Sequence, residues 1–244
     1  MPVQFKPRIS SCRRYHVNQN GEPCYSNRFD EVLAFHDISG IFIAPVCKGD
    51  AAWHIDLHGR AIYSDRFDRT FGYYCGLAGV VANGRWFHID VNGSVAYNNR
   101  YSFVGNYQED IVVVCNSDGE YFHIDRLGNT LYSSKWRYCG DFKDGIAVVQ
   151  ADNGLSTNIN IEGQFIHGNW FLDLDIFHKY FARAKDDRGW CHINRYGKPS
   201  YDDRYTMIEP FYNGYARVET TSGELKVIDE LGSTVRILRL PLGR

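Results

Sequence analysis

Histidine and a carboxylate or amide residue recur two positions apart at regular intervals along this chain. The histidine position holds His16, His54, His88, His123, Asn158, His192 and Val227. The position two residues later holds Asn18, Asp56, Asp90, Asp125, Asn160, Asn194 and Asp229. Residues two apart on a strand project from one face, so the pattern predicts a row of imidazole and acidic or amide groups.

Such a row has two interpretations. It would ligate a transition metal or bind an anion, or it would be a structural ladder in which each side chain caps a turn or bonds a neighbouring repeat. We favour the ladder, because a catalytic group is needed once whereas a scaffold residue is needed in every repeat. We therefore predict no metal site and no cofactor.

Arginine and aromatic residues form a second recurring group. Its arginine position holds Arg28, Arg66, Arg100, Lys135, Trp170, Arg204 and Arg239, and tyrosines precede most of these at Tyr25, Tyr63, Tyr97, Tyr132 and Tyr201. A cationic and aromatic lining of this kind suits phosphates, carboxylates or stacked bases. Alternatively, each arginine stacks on a tyrosine and pairs with its own strand's aspartate, as a contact between repeats. We favour the second interpretation, and the residues at stake as ligand contacts are Arg66, Arg100, Arg204, Tyr63 and Tyr97.

The fifth repeat departs from both patterns. Asn158 replaces the histidine, His167 replaces the tyrosine and Trp170 replaces the arginine, while His178 to Tyr180 stand where neighbouring repeats carry a glycine turn. Drift in one repeat is the simpler explanation. The alternative is that this repeat lines a unique pocket, which makes His167, Trp170 and His178 candidate ligand contacts.

No enzyme signature accompanies these residues. The chain has no GxSxG, Walker-type, GxGxxG or HExxH motif. Histidines and carboxylates are plentiful, but no spacing singles out a nucleophile with its base. The sequence therefore favours a chain that is not an enzyme.

Composition excludes several other classes. The net charge of −2 gives no general attraction to nucleic acid or anionic membranes, and no apolar run approaches the ~20 residues of a membrane span. Residues Met1 to Ser11 lack the apolar stretch of a secretory signal. Seven cysteines without a CxxC pair argue against a disulfide framework or a zinc site. We expect a cytoplasmic, reducing compartment.

Regularly spaced glycines reveal the elements that position these side chains. They are Gly21, Gly59, Gly93, Gly128, Gly163, Gly197 and Gly232, 34 to 38 residues apart. A period of this size is typical of repeat architectures.

Within one repeat, Trp53 to Asp56 alternates as a half-buried strand does, and Leu57 to Gly59 forms a turn. Ala61 to Tyr63 is then predicted to begin an antiparallel strand, and Asn83-Gly84 is a strong hairpin signal.

These meanders predict an all-β repeat architecture with almost no helix. We expect a single β-repeat domain over residues 1–244, with repeats starting near 12, 51, 86, 121, 156 and 190 and a partial closing repeat at 225–240. Short meanders must stack on their neighbours to bury their faces. A six-bladed β-propeller is our first expectation, and an open β-solenoid or superhelix is the alternative.

The repeat also resembles a known family. The segment Gly84 to Gly93 is similar to the WG-type (KWG) repeat of bacterial proteins, and Phe142 to Val148 and Phe211 to Val218 resemble its Phe-x-x-Gly-x-Ala-x-Val strand. The likeness spans about residues 12–238. Histidine replaces the family's usual aromatic residue and the second glycine of its name is absent, so this is a divergent branch. The resemblance implies β-repeats and an interaction role, and it supplies no catalytic residues.

The function expected from these observations is binding. We predict a non-catalytic module that presents a repeated Arg/Tyr/His surface to a protein, a peptide or a small polar ligand. Tracts similar to Tyr201 to Leu238 occur upstream of methyltransferase-like domains, which makes an enzyme of that kind a candidate partner. The alternatives are an enzyme or accessory domain of a biosynthetic or modification pathway, with its site in a central channel or at the fifth repeat, and a purely structural spacer. Membranes and nucleic acids are not expected partners.

Overall fold

Short antiparallel strands account for the regular structure of this chain. The computed structural model describes residues 6–241, within which there are 22 strands and no helix. The predicted all-β repeat of short meanders is thereby confirmed. The chain divides into two compact units, Met1–Thr130 and Leu131–Arg244. The grouping of all repeats into one domain stays a prediction.

Unit 1 contains four antiparallel sheets in its described part. Their strand orders are β1-β2, β3-β5-β4 with β6 also paired to β5, β7-β8-β9, and β10-β11-β12. The strands are β1 Arg8–Ile9, β2 His16–Val17, β3 Glu31–Val32, β4 His36–Ile38, β5 Ile41–Lys48, β6 Ala51–Ile55, β7 Arg69–Tyr74, β8 Leu77–Ala82, β9 Arg85–Ile89, β10 Phe103–Val104, β11 Val112–Cys115 and β12 Tyr121–Ile124.

Unit 2 contains three antiparallel sheets up to residue 241. Their strand orders are β13-β14-β15, β16-β17-β18 and β19-β20-β21-β22. The strands are β13 Tyr138–Cys139, β14 Ile146–Gln150, β15 Ser156–Asn160, β16 Asp173–Leu174, β17 Phe181–Asp186, β18 Gly189–Asn194, β19 Met207–Ile208, β20 Tyr215–Glu219, β21 Leu225–Asp229 and β22 Thr234–Arg239.

The hairpin between β8 and β9 shows how sequence determines the meander. Asn83 and Gly84 have φ angles of 53° and 70°, and Ala82 pairs with Arg85 across the turn. Two consecutive positive φ angles are those of a type I′ turn, whose twist matches that of the flanking strands. The predicted Asn-Gly hairpin is therefore present.

The strand expected to begin at Ala61 is not regular. Ile55 bridges Ala61 and Ala52 bridges Phe67, but the chain between these two bridges forms a turn rather than a strand. The reason is that the Tyr63 hydroxyl bonds a buried histidine and so holds the chain in a bulge.

The last repeat tests that explanation. Val227 and Arg236 stand there at the histidine and tyrosine positions, and no such side-chain bond is formed by the pair. The returning segment is then the regular strand β22, which pairs with β21 over Leu225 to Ile228.

The core of each repeat is centred on the isoleucine that follows the histidine. These residues are fully buried in both units, and they are Ile55, Ile89, Ile124, Ile159, Ile193 and Ile228. The strand pattern therefore buries the isoleucine and the histidine together, although the two side chains point to opposite faces.

From Gly59 onward, each repeat glycine lies against a ring of the repeat before it. Gly93 has a φ of +82°, and a Cβ there would lie 2.7 Å from Cγ of Tyr63. The same approach joins Gly59 to Tyr25, Gly128 to Tyr97, Gly163 to Tyr132, Gly197 to His167 and Gly232 to Tyr201. The glycine is thus required by backbone conformation and by the space that the preceding ring occupies.

Gly93→Ala separates these two requirements when it is compared with Gly84→Ala. Gly84 also has a positive φ, of +70°, but nothing lies within 4 Å of a Cβ placed there. We expect Gly84→Ala to lower the free energy of unfolding by about 1–2 kcal/mol from backbone strain. Gly93→Ala should cost about 1–3 kcal/mol more because of the clash with Tyr63. Urea denaturation measures both, and equal losses would contradict the packing role of the ring.

Candidate functional site

The repeated histidines are bonded at both ring nitrogens. His88 Nδ1 lies 2.5 Å from the Tyr97 hydroxyl, and its Nε2 lies 3.0 Å from the carbonyl oxygen of Gly105. A carbonyl can only accept, so Nε2 carries the proton and Nδ1 accepts from the tyrosine. The same arrangement joins His16 to Tyr25 and Leu33, His54 to Tyr63 and Phe71, and His192 to Tyr201 and Glu209.

Burial keeps these imidazoles neutral. His54, His88 and His192 are at most 1% exposed, and burial lowers the pKa of each to about 4. Burial also raises the pKa of Tyr63 and Tyr97, which therefore remain protonated donors. Because neither nitrogen retains a free lone pair, these rings are not arranged to bind a metal.

Aromatic rings close the space around the histidines. The ring of Tyr73 lies 4.7 Å from that of His54, Tyr107 lies 4.7 Å from His88, and Phe211 stacks 3.9 Å from His192. Each of these rings stands 19 residues after its histidine. One imidazole therefore fixes three segments of its repeat.

The acidic or amide position caps a turn. Asp90 Oδ1 accepts the backbone N–H groups of Asn92 and Ser94 at 2.8 and 2.9 Å. Asn18, Asp56, Asp125, Asn194 and Asp229 each accept two N–H groups in the same way, and Asn160 accepts that of Gln164. This Asx turn is a local structural role.

The arginine position caps the bulge that follows. Arg100 Nη1 donates to the carbonyl oxygens of residues 97, 98 and 99, and its guanidinium carbon lies 3.8 Å from the centre of the Phe87 ring. Arg66 bonds residues 63 to 65 and lies 4.5 Å from the Trp53 ring centre. Arg204 bonds residues 201 to 203 and also pairs with Asp186 at 2.7 Å.

These contacts differ from the expected pairing with the strand's own aspartate. Arg66 and Arg100 contact backbone carbonyls and an aromatic ring of the same repeat instead, and Arg204 contacts backbone carbonyls and Asp186. Five of the predicted ligand contacts thus have partners within the chain: Arg66, Arg100, Arg204, Tyr63 and Tyr97. Their use in ligand binding stays a prediction.

The fifth repeat keeps a version of the same network. Asn158 is fully buried, and its Oδ1 lies 3.1 Å from His167 Nε2. Burial lowers the pKa of His167, whose Nδ1 accepts the N–H of Asn169 at 3.3 Å. Asn158 Nδ2 has no hydrogen-bond partner within residues 6–241. The shorter amide therefore leaves one buried donor unsatisfied.

Trp170 lies in a separate aromatic group of this repeat. It is 36% exposed, and its ring lies 5.5 Å from that of Phe165 and 6.4 Å from that of Trp136. The two residues therefore have different neighbours: His167 contacts the amide of Asn158, and Trp170 contacts the rings of Phe165 and Trp136.

Three short hairpins of unit 2 carry the residues that stand 20 to 23 positions after the histidine. They are Lys143–Ile146, His178–Phe181 and Tyr212–Tyr215, and each is closed by two reciprocal backbone hydrogen bonds. Asp144, Lys179 and Asn213 take φ angles of 50° to 58° in these turns. The hairpins hold their first residues at equivalent places in successive repeats.

A cavity of about 650 Å³ lies beside these hairpins. We call it the hairpin pocket, and its lining residues are Lys143, Asp175, Ile176, His178, Phe181, Arg183, His192, Glu209, Pro210, Phe211 and Tyr212. Of the eight predicted site residues, His178 lines it, and the other seven do not.

Ion pairs satisfy most of the charge in the hairpin pocket. Arg183 contacts Oδ2 of Asp175 through Nε and Nη2, and it donates Nη1 to the Ile208 carbonyl at 3.0 Å. Glu209 pairs with Arg217. Within the described chain, the side chains of Lys143 and His178 form no hydrogen bond or ion pair.

The acidic residues of the pocket escaped the sequence analysis. Asp175 and Glu209 stand 17 residues after the histidine position, where earlier repeats have Leu33, Phe71, Gly105 and Gly140. Eight residues later stand Arg183 and Arg217, where earlier repeats have none. The last two full repeats both carry an acidic residue with an arginine eight positions later, and this pattern could have indicated the pocket from the sequence.

Two further properties concern the whole described region. Within residues 6–241, no group of three or more His, Cys, Asp and Glu side chains is placed to hold a metal ion. Helices with the length and apolar character to cross a membrane are likewise not found there.

Comparison with solved structures defines the class of protein. The chain resembles the crystal structure of a eukaryotic initiation factor, with a TM-score of 0.57 and 10% identity over 97% of this chain and 74% of that chain. It also resembles the computationally designed protein Ika8, with a TM-score of 0.51 and 16% identity over 97% of this chain and 84% of that chain. BamB from Moraxella catarrhalis matches with a TM-score of 0.49, at 13% identity over 98% and 85% of the two chains. The protein is an all-β repeat protein, and its structural neighbours include propeller-like folds.

Two segments of the chain match a family model. The profile of the WG containing repeat matches residues 123–154 and 193–221. These two segments are WG-type β-repeats, as the resemblance indicated. A search of curated proteins finds no match.

The buried histidines make stability depend on pH. Their pKa is about 4 in the folded protein and near 6.5 in an unfolded chain. Between these values the unfolded chain binds more protons, so stability present above pH 6.5 is lost as the pH falls toward 4. Each histidine contributes a slope of at most about 1.4 kcal/mol per pH unit. Urea denaturation from pH 7 to 4.5 measures this decline, and constant stability over that range would contradict it.

Restoring the usual pair in the fifth repeat should stabilise the protein. In Asn158→His with His167→Tyr, the new imidazole reaches the tyrosine hydroxyl and the carbonyl of Asp175, the counterpart of the acceptor in other repeats. We expect a gain of roughly 1–3 kcal/mol, because a buried unsatisfied donor is removed. Thermal and urea unfolding compare the double variant with His167→Tyr alone, which keeps Asn158. A double variant less stable than the natural protein would refute this account of Asn158.

Proposed function

We propose that the chain is a non-catalytic protein-interaction module whose binding surface is the hairpin end of unit 2. The observation that carries this proposal is the hairpin pocket together with the aromatic residues on its hairpins. Tyr180 and Tyr212 are 72% and 77% exposed, and Tyr215 is 49% exposed. We call these three the rim tyrosines.

Exposed tyrosines on rigid turns are well suited to binding a polypeptide. A tyrosine offers a large apolar surface and a polar hydroxyl while losing little conformational freedom. The closed hairpins hold the rim tyrosines in place, so the binding surface is largely formed in advance. Preorganisation of this kind favours affinity.

The chemistry of the pocket supports binding over catalysis. Asp175 is neutralised by Arg183, and Glu209 by Arg217. His192 uses both ring nitrogens in structural hydrogen bonds. A general base needs an available lone pair near its working pH; His192 does not offer one, and the two carboxylates are held in ion pairs.

The compartment and partner follow from the same proposal. All seven cysteines are free thiols, which supports a reducing, cytoplasmic location. The partner is a polypeptide, and the family resemblance makes a methyltransferase-like enzyme one candidate.

Selection from a random peptide display library tests the proposed surface. Peptides selected on the natural protein should lose about tenfold or more in affinity for Tyr180→Ser with Tyr212→Ser, because two interface aromatics are removed. Tyr196→Ser is the matched control, since Tyr196 is 76% exposed in unit 2 but lies on none of the three hairpins.

Thermal unfolding checks that all variants remain folded. Peptides that lose affinity only for Tyr196→Ser would contradict the proposed surface. Selection that yields no binding peptide would contradict the function itself.

A further inference from the structure

We propose that the hairpin pocket binds the C-terminal residue of a partner polypeptide, with its carboxylate and an apolar side chain. This inference rests on the proposed interaction function and specifies the ligand of the same site. It is carried by the charge balance of the pocket, by its apolar floor and by the way a chain terminus combines two groups on one residue.

The charge that remains available in the hairpin pocket is positive. Asp175 and Glu209 are each paired with an arginine. The ammonium group of Lys143 has no partner within the described chain, and the same holds for the imidazole of His178. A bound carboxylate would therefore meet an ammonium donor without displacing an existing ion pair.

The floor of the pocket is apolar. Phe181 and Phe211 pack edge to face with ring centroids 5.0 Å apart, and Ile176 and Pro210 also line the cavity. A volume of about 650 Å³ is large for a lone carboxylate and lies in the range of small-molecule sites. Such a floor suits an aliphatic or aromatic side chain of the ligand.

A chain terminus supplies both groups from one residue. Adjacent side chains of an extended peptide point in opposite directions, so an internal acidic residue and its apolar neighbour would not enter the pocket together. At a C-terminus the carboxylate and the apolar side chain share one α-carbon. The preceding residues would then leave the pocket past the rim tyrosines.

Calorimetry with matched peptides tests the proposal. Acetyl-Ala-Ala-Leu with a free carboxylate should bind about tenfold or more tightly than the same peptide ending in an amide. Lys143→Gln should reduce the affinity for the acid to that for the amide. Lys198→Gln is the matched control, because Lys198 is exposed in unit 2 and does not line the pocket.

A third ligand distinguishes a peptide from a small acid. N-acetyl-leucine carries the same carboxylate and side chain without the preceding residues, and we expect it to bind more weakly than the peptide. Equal binding of peptide and N-acetyl-leucine would overturn the assignment to a polypeptide terminus.

Other results would overturn the inference and leave the proposed function standing. Equal affinities for acid and amide, unchanged binding in Lys143→Gln, or no binding of either tripeptide at millimolar concentration would each do so. Library peptides that bind through the rim tyrosines without a free C-terminus would preserve the interaction role. If the library selection also yields no binding peptide, both the further inference and the proposed function are overturned.

Discussion

The buried imidazole found in five of the repeats is the constraint from which the rest of the structure follows. A neutral histidine in the core must satisfy one donor and one acceptor, because an unpaired polar group away from water is costly. His88 does so with the carbonyl of Gly105 and the hydroxyl of Tyr97. The two partners lie 17 and 9 residues away in the chain, so one ring joins three segments that a strand pattern alone would leave independent.

Satisfying that ring determines the neighbouring geometry. The tyrosine hydroxyl reaches the histidine only if the returning chain bulges. The arginine then donates hydrogen bonds to the backbone carbonyls that the bulge exposes. The tyrosine ring projects onto the next repeat and leaves room there only for glycine, as Tyr63 does at Gly93. Where Val227 removes the imidazole, the returning chain becomes the regular strand β22. A contact within one repeat therefore also sets the contact between repeats.

The sequence predicted those features that depend on local pattern. Strands, the Asn83-Gly84 hairpin and the glycine spacing follow from periodicity and turn preferences. The strand at Ala61 was wrong, because a bond between side chains nine residues apart overrode the alternating pattern. Among the predicted site residues only His178 reaches the hairpin pocket. The other charged residues of the hairpin pocket come from separate segments of the chain. A search for unusual residues within one repeat therefore could not identify them together.

The fifth repeat separates two kinds of departure from a repeat pattern. Asn158 and His167 depart at buried positions, where the change alters a hydrogen-bond network and leaves an unsatisfied donor. Lys143, His178 and Tyr212 differ from one another at exposed hairpin positions, where the histidine network makes no demand on the side chain. A side chain can be selected for ligand binding only at a position where the fold does not already require a particular residue. Rarity within the repeat therefore marks a binding site when the position is also exposed, and otherwise reports on stability.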